Sequence, residues 1–381
     1  MANKKVLIDA RMYGLENSGI GRYLINLIKY LTESKNDLQF VVLLKENYFN
    51  ELKLPENWKK VLADFRHYTF EEQIKLPGII SKEEPSLVHF PHFNTPFFWK
   101  GKNVLTIHDL TTQRQGMESS NLPFVKYFLK RITFLIIASN AVKDSMKIIT
   151  PSDAVKEDVV KYYSVSPSKI KTIYEGVSGF LGDKESKTSN LEILTKYKLK
   201  KPYFLYVGNA YLHKNLEKAI EAMALLNKKR SEQAILAIVG SRDVFKKRLE
   251  KMVIEHGADI YVKLLGYVPD EELQVLYKSS VAFVYPSLSE GFGLQGLEAM
   301  QNNTLLLASD IKVFKEIYKG NAFYFDPKDP ASISGAMDYM LNLEKNKKEK
   351  FIQKSKEFIK KYSWSKMAKE TLSIYESCIG I

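Results

Sequence analysis

Two carboxylates, Glu290 and Glu298, bracket a glycine-rich turn in the run Ser289-Glu290-Gly291-Phe292-Gly293-Leu294-Gln295-Gly296-Leu297-Glu298. Carboxylates beside such a turn are poor phosphate ligands and good acceptors for sugar hydroxyls. If a helix begins near Leu294, the amides of Phe292, Gly293 and Leu294 supply the complement, since oriented N–H donors and the helix dipole favour a phosphate. One carboxylate then suits a transferred sugar and the other a nucleoside ribose. Glu298 alone reads as an ordinary helix-face carboxylate; the whole arrangement after a strand-like run points to a ligand that carries both sugar and phosphate. Lys214 stands immediately before Asn215, a residue type suited to cap the helical pattern over 216–226. A lysine so placed offers a point charge to a β-phosphate and to the negative charge that develops on a departing diphosphate.

Three further groups have the right residue types. His108 ends the apolar run Val104-Leu105-Thr106-Ile107-His108 and is followed by Asp109; it is either a ligand contact or a satisfied structural histidine, and Asp109 either fixes it or meets a substrate. Gly19-Ile20-Gly21-Arg22-Tyr23 follows the opening strand and precedes apolar residues at helical spacing. It is a tight turn or a backbone cradle in which the amides of Gly19 to Gly21 approach a diphosphate, with Arg22 and Tyr23 left for packing or substrate contact. His89 and His92 lack carboxylate partners nearby and do not read as metal ligands.

The elements that must position these groups alternate from end to end. Apolar, β-rich runs at 6–10, 40–44, 87–90, 104–108 and 147–150 alternate with helical patterns, and a polar stretch at 179–189 then offers little to bury. A second series runs through 203–207, 234–239, 260–265, 281–285, 305–308 and 322–325. This is α/β architecture with parallel sheets, in which ligands sit beyond the carboxyl ends of strands. The expected domains are 1–180 and 181–363. The amphipathic terminal segment can dock on either, and packing of 364–381 back onto the first domain is the expectation.

Taken together, these segments resemble the E-x7-E signature and motif order of the retaining glycosyltransferases of family 4. The resemblance covers most of the chain: Asp9-Ala10-Arg11, Ser18 to Tyr23, Thr106 to Asp109, Thr150-Pro151-Ser152, Ile173 to Val177, Val207 to Asn215 and Gly266 to Leu273 stand in the family's order. It implies a GT-B fold, two Rossmann-like parallel-sheet domains facing an interdomain cleft. It also implies that His108 contacts the donor sugar, that the loop of Gly19 and Gly21 closes on the diphosphate, and that the backbone at Val268 meets the nucleobase. Catalysis then rests on His108, Lys214 and Glu290, with donor contacts from Asn209, Phe292, Gly293, Leu294 and Glu298 and acceptor contacts from Arg22, Tyr23 and Asp109. The implied reaction is same-face transfer of a hexose with retention, in which the leaving phosphate oxygen takes the acceptor's proton. No metal and no other cofactor is expected.

The sequence departs from the family pattern in places. Asn209 stands where many members carry a phosphate-binding arginine, leaving Arg22, Arg242 or the backbone to compensate. Gln295 replaces a frequent proline, Leu305 another, and Asn303 a frequent glycine, which asparagine can imitate by adopting the left-handed conformation. The motif combination is closest to the mannosyltransferase-like branch of polysaccharide synthesis, so GDP-mannose is the first expected donor and UDP-hexoses the second.

Composition bounds the rest. At 381 residues, 45% of them apolar, the chain exceeds what one core usually serves. The single cysteine, Cys378, excludes an internal disulfide and fits a reducing cytosol. The opening apolar run is too short for a signal peptide and contains Asp9. The net charge of +13 implies polyanionic partners, but without zinc-finger spacing, an aromatic RNA-binding motif or a basic arm, nucleic acid is not among them. Phe124, Phe128, Ile132 and Leu135 alternate with Lys126, Lys130 and Arg131 over 123–137. This suits either an anionic bilayer surface or a core helix with a solvated basic face. The first would place a cytoplasmic protein on the inner face of the membrane, acting on a saccharide or lipid-linked saccharide. Two other functions share the architecture: a GT-B-like sugar-nucleotide 2-epimerase, which needs no acceptor, and a non-catalytic sugar-binding protein.

Overall fold

A computed structural model describes residues 4–114, 123–177, 189–199, 202–240 and 246–380. Most of the expected linker, and Arg242, lie outside the described residues. The chain divides into two compact units, Met1–Gly176 with Ser363–Ile381, and Val177–Tyr362.

The first unit is built on a seven-stranded sheet of β1 (Lys5–Asp9), β2 (Gln39–Leu44), β3 (Trp58–Leu62), β4 (Leu87–Phe90), β5 (Asn103–Thr106), β6 (Lys147–Thr150) and β7 (Ile170–Thr172). Their order is β3-β2-β1-β4-β5-β6-β7 and every pair is parallel. The second unit holds β8 (Tyr203–Val207), β9 (Ile235–Val239), β10 (Val262–Gly266), β11 (Phe283–Tyr285), β12 (Leu306–Ser309) and β13 (Phe323–Phe325). They run in the order β10-β9-β8-β11-β12-β13, again all parallel. Central strands such as β1, with Val6, Leu7 and Ile8 fully buried, and β9, buried throughout, are apolar on both faces because helices cover both faces of a parallel sheet. The helix Leu216–Lys228 shows the complementary pattern: Leu216, Ala219, Ile220, Met223 and Leu226 recur at helical spacing and are buried.

Two strands have no counterpart in the apolar pattern. β3 carries Lys59 and Lys60 and is half-exposed, while β7 is only three residues long. Both are edge strands, paired on one side only, where polar residues are tolerated and discourage further pairing. β5 stops at Thr106, so His108 lies beyond the strand.

The terminal helix Trp364–Ile379 packs against the helix Ser18–Thr32 of the first unit. Its buried Tyr375 hydroxyl hydrogen-bonds His89 Nδ1 at 2.6 Å, and His89 Nε2 meets Thr106 Oγ1 at 2.8 Å. Burial pushes the His89 pKa down to about 3, so this link is made by a neutral imidazole. Among the described residues, no helix is long and apolar enough to cross a membrane.

In each sheet the strand order reverses once, between β1 and β4 and between β8 and β11. Loops leaving the carboxyl ends of neighbouring strands diverge at such a point and leave a crevice. Most of the residues singled out by the sequence follow β1, β8 and β11; His108 and Asp109 follow β5, and Val268 follows β10.

Candidate functional site

In the second unit the loops after β8 and β11 are tied side by side. Leu288 N–H donates to the His213 carbonyl at 2.8 Å. The Asn215 amide donates to the carbonyls of Pro286 at 3.0 Å and Pro327 at 2.7 Å. Asn215 precedes its helix as expected but does not cap it with its side chain; it sits in the left-handed region at φ +57° and spends its amide on clamping the neighbouring loops. Lys214, at the end of the 3-10 turn Leu212–Lys214, is thereby brought to Glu290, with Nζ 2.6 Å from Oε1. The side chains retain 14% and 11% exposure, so the pair is largely desolvated but reachable. The sequence assigned these two residues separate partners; the structure makes them partners of each other. A lysine has three donors, so this contact leaves two for a ligand.

Gly293 adopts φ +93° before the helix Leu294–Gln301, which has no side-chain cap. First-turn amides of a helix have no intrahelical acceptor, so this end presents N–H donors beside the Lys214–Glu290 pair. Only glycine fits at 293: a Cβ would stand 2.2 Å from the Tyr318 hydroxyl, which donates to the Gly293 carbonyl at 2.6 Å. Phe292, Leu294 and Val268 are buried, Phe292 against the Tyr362 ring, so their side chains pack and only their backbones can meet a ligand. Glu298 is 7% exposed within the same helix. Gln295 accepts from the Tyr285 hydroxyl at 2.7 Å, and the Asn209 carbonyl accepts from the Tyr206 hydroxyl at 2.9 Å. Asn303 takes φ +59°, the left-handed conformation that lets it end the helix as a glycine would.

In the first unit His108 Nδ1 lies 3.2 Å from Glu175 Oε1, and its buried Nε2 has no hydrogen-bond partner. Asp109 does not hold the histidine: its Oδ1 accepts from Thr111 N–H at 2.7 Å, starting the short helix Thr111–Arg114. Glu175 is 5% exposed and belongs to the motif segment Ile173–Val177, whose position after an unrecognised edge strand hid its role. Tyr23 is buried, with its ring edge-on to His108 and its hydroxyl near Thr106 Oγ1, so it packs the site and is not placed for acceptor contact. Gly19 and Gly21 lie in the first turn of the helix Ser18–Thr32, not in a loop before it. A Cβ on Gly21 would come within 1.8 Å of the Gly14 carbonyl oxygen, so chain packing requires that glycine; at Gly19 the space is open. Arg22, on the same helix, is half-buried. His92 Nδ1 is hydrogen-bonded to the Tyr68 hydroxyl, so both histidines of the 89/92 pair are engaged by hydroxyls.

Beyond β1 lies a cluster whose composition the motif Asp9-Ala10-Arg11 only half revealed. Arg11 is 1% exposed and binds Asp9 through Nε at 2.7 Å and Nη2 at 2.6 Å, while Nη2 also lies 2.8 Å from Glu72 Oε1. Burial alone would raise the Asp9 pKa, but the Arg11 charge and hydrogen bonds outweigh it and hold the carboxyl below its ordinary value. Glu72 was missed. Its signal is the spacing Thr69-x-x-Glu72, in which the Thr69 hydroxyl accepts from Glu72 N–H and caps the helix Phe70–Lys82.

Two family models match the sequence. "Glycosyl transferases group 1" matches residues 190–358, and "Glycosyltransferase Family 4" matches residues 17–178. The chain is similar to the O-antigen chain mannosyltransferase RfbU of Salmonella typhimurium, 29% identical over 349 residues, covering 87% of this chain and 90% of that one. It is also similar to the O-antigen chain mannosyltransferase B of Escherichia coli, 25% identical, covering 94% and 96%. Among solved structures it is similar to Anabaena Alr3699/HepE in complex with UDP and glucose, with a TM-score of 0.74 at 16% identity, covering 98% of this chain and 100% of that one. Sucrose-phosphate synthase from Thermosynechococcus elongatus has a TM-score of 0.73 at 16% identity, covering 98% of both chains. With two parallel α/β units, loops joined at the second sheet's switch point and these matches along its length, the chain belongs to the family 4 glycosyltransferases of GT-B fold.

Proposed function

We propose that this glycosyltransferase moves a hexose, mannose before others, from a nucleoside diphosphate to a saccharide or lipid-linked saccharide of the cell envelope, with retention and without a metal. The observation that carries the reading is the Lys214–Glu290 pair, 2.6 Å apart beside the uncapped helix start at Gly293. The helix amides and the two remaining Lys214 donors take the diphosphate and stabilise the charge on its leaving oxygen. Glu290 orients Lys214 and accepts from a sugar hydroxyl, Glu298 serves the ribose, and the backbones at Asn209 and Val268 line the nucleotide. In the first unit, Glu175 holds His108 so that Nε2 is turned to a substrate hydroxyl. No residue is assigned as a covalent nucleophile; the donor's phosphate oxygen takes the acceptor proton on the same face. GDP-mannose leads the donors because the similar O-antigen enzymes are named mannosyltransferases.

The work is proposed to take place at the cytoplasmic face of an anionic membrane. On the helix Phe124–Asp144 the large apolar residues Phe124, Val125, Phe128, Leu129, Ile132 and Ile136 are 41–68% exposed. At ~100° per residue they share an arc of about 140°; half-buried Arg131 flanks that arc, exposed Lys126 lies about 60° beyond it and exposed Lys130 is on the opposite face. The other reading of this segment, a core helix with a solvated basic face, is favoured on the side where Phe134 packs against the core and, beyond 137, where Ala138, Ala141 and Val142 are buried.

Thermal unfolding with GDP-mannose, UDP-glucose, UDP-N-acetylglucosamine and UDP-galactose tests the donor. GDP-mannose is expected to raise the midpoint most, because only a ligand that prefers the folded state stabilises it. No shift with any of the four refutes the donor reading, and conversion of donor alone into an epimer refutes transfer.

A further inference from the structure

Two glycines of the second unit make room for one hydroxyl. Gly293 also needs its residue type for a φ of +93°, but Gly296 lies inside the helix Leu294–Gln301 without a positive φ, so its backbone suits any side chain. Glycine there weakens the helix relative to alanine. What excludes alanine is Tyr318: a Cβ at 296 would stand 2.4 Å from the Tyr318 hydroxyl oxygen and 2.5 Å from the ring carbon that bears it. Tyr318 ends the helix Lys312–Tyr318, is fully buried and packs on the Phe314 ring, with centroids 5.1 Å apart. For packing alone, a phenylalanine would supply the same ring. The hydroxyl must therefore serve something else.

Burial, with the Glu290 charge adding to it, pushes the Tyr318 pKa well above its ordinary value, so the phenol stays a donor. It donates to the Gly293 carbonyl at 2.6 Å, and the Gly296 N–H reaches the same oxygen at 3.2 Å. Two donors on one carbonyl fix its direction. In a planar trans peptide the N–H points opposite to the C=O, so fixing the Gly293 carbonyl also fixes the Leu294 amide, turned away from Tyr318 and out of the helix start. No side-chain cap shares this task. We propose that Tyr318 is a positioning residue of the phosphate cradle: by anchoring the Gly293 carbonyl it aims the Leu294 N–H at the donor diphosphate. The assignment rests on the donor reading above, in which the helix start beside Lys214 and Glu290 receives that diphosphate.

The test compares the full wild-type chain with Tyr318→Phe, which keeps the ring and removes the hydroxyl, and with Gly296→Ala, whose Cβ displaces that hydroxyl. Calorimetric titration gives the affinities for GDP and UDP. Saturation-transfer NMR titration gives those for guanosine and uridine, which share the base and ribose and carry no phosphate. The nucleoside diphosphate that the wild type prefers is expected to bind each variant roughly tenfold more weakly, as befits loss of one well-directed, charge-assisted hydrogen bond, while the matching nucleoside stays within about twofold of its wild-type affinity. A residue that merely packs the core would weaken both ligands together or neither. Thermal unfolding shows whether each variant folds, and either folded variant is sufficient to decide. Undiminished diphosphate affinity in a folded variant, or a loss matched by the nucleoside, overturns the assignment while the donor reading stands. If the wild type binds neither GDP nor UDP, the donor reading itself fails and the assignment falls with it.

Discussion

Replacing Lys214 by methionine probes the centre of the proposed mechanism, because the same Nζ serves the fold and the phosphate. In the fold it lies 2.6 Å from Glu290 Oε1, with the two side chains 14% and 11% exposed. Truncating one member of a fully buried pair typically costs 3–5 kcal/mol; partial exposure here places the expected loss at about 2–3 kcal/mol. In turnover, removing one preorganised charge at a developing anion costs about 10²–10³, or ~3–4 kcal/mol of activation free energy. Glu290→Gln keeps an oxygen acceptor for Lys214 and removes the charge, so its stability loss is expected to be smaller, about 1 kcal/mol. The double variant leaves no unpaired buried charge. Its stability loss should fall short of the sum of the single losses by at least ~1 kcal/mol, the size of coupling usual between residues in contact. Its turnover should fall little below that of Lys214→Met, because a lysine that is absent has no need of positioning. Urea unfolding of the four proteins gives the stability cycle, and release of nucleoside diphosphate with donor and acceptor gives the turnover cycle. Strict additivity in stability, or a Lys214→Met enzyme within threefold of the wild type, refutes the reasoning.

Turnover is expected to be unchanged in excess chelator, and dependence on added Mn²⁺ or Mg²⁺ contradicts a mechanism in which amides and Lys214 carry the phosphate charge. Gly21→Ala drives a Cβ to 1.8 Å from a backbone oxygen and should cost at least ~2 kcal/mol. Gly19→Ala meets open space and should stay within about 1 kcal/mol of the wild type; equal unfolding midpoints for the two variants contradict the packing assigned to Gly21. His89 has its pKa pushed down to about 3 in the folded chain against ~6.5 unfolded. Its contribution is therefore complete above pH 6.5 and is lost as pH falls, by ~2 kcal/mol at pH 5. His89→Gln should be less stable at pH 7 and lose less between pH 7 and pH 5; an identical pH slope removes His89 as the cause. The chain should co-sediment with vesicles rich in phosphatidylglycerol and not with phosphatidylcholine alone, and Phe128→Ser with Leu129→Ser should abolish this. Binding that survives the double substitution excludes the apolar stripe as the anchor.

What the sequence by itself determined is local. Central strands announce themselves as apolar runs because a parallel sheet covered on both faces admits little else. Turn chemistry carries as far: the glycine-rich bend before Leu294 and the left-handed Asn303 follow from what those residues permit in their own backbone. The edge strands β3 and β7 escaped because a strand paired on one side need not be apolar. Only the tertiary structure decided who meets whom. Lys214 finds Glu290 across 76 positions, His108 finds Glu175 across 67, and Tyr375 finds His89 across 286. The same holds for Glu72, which looks in sequence like a residue of a helix cap and in space gathers Arg11, Asn94 and His67. Periodicity tells which face of an element is buried; strand order and register tell what lies opposite it, and those arise from packing summed over the whole unit.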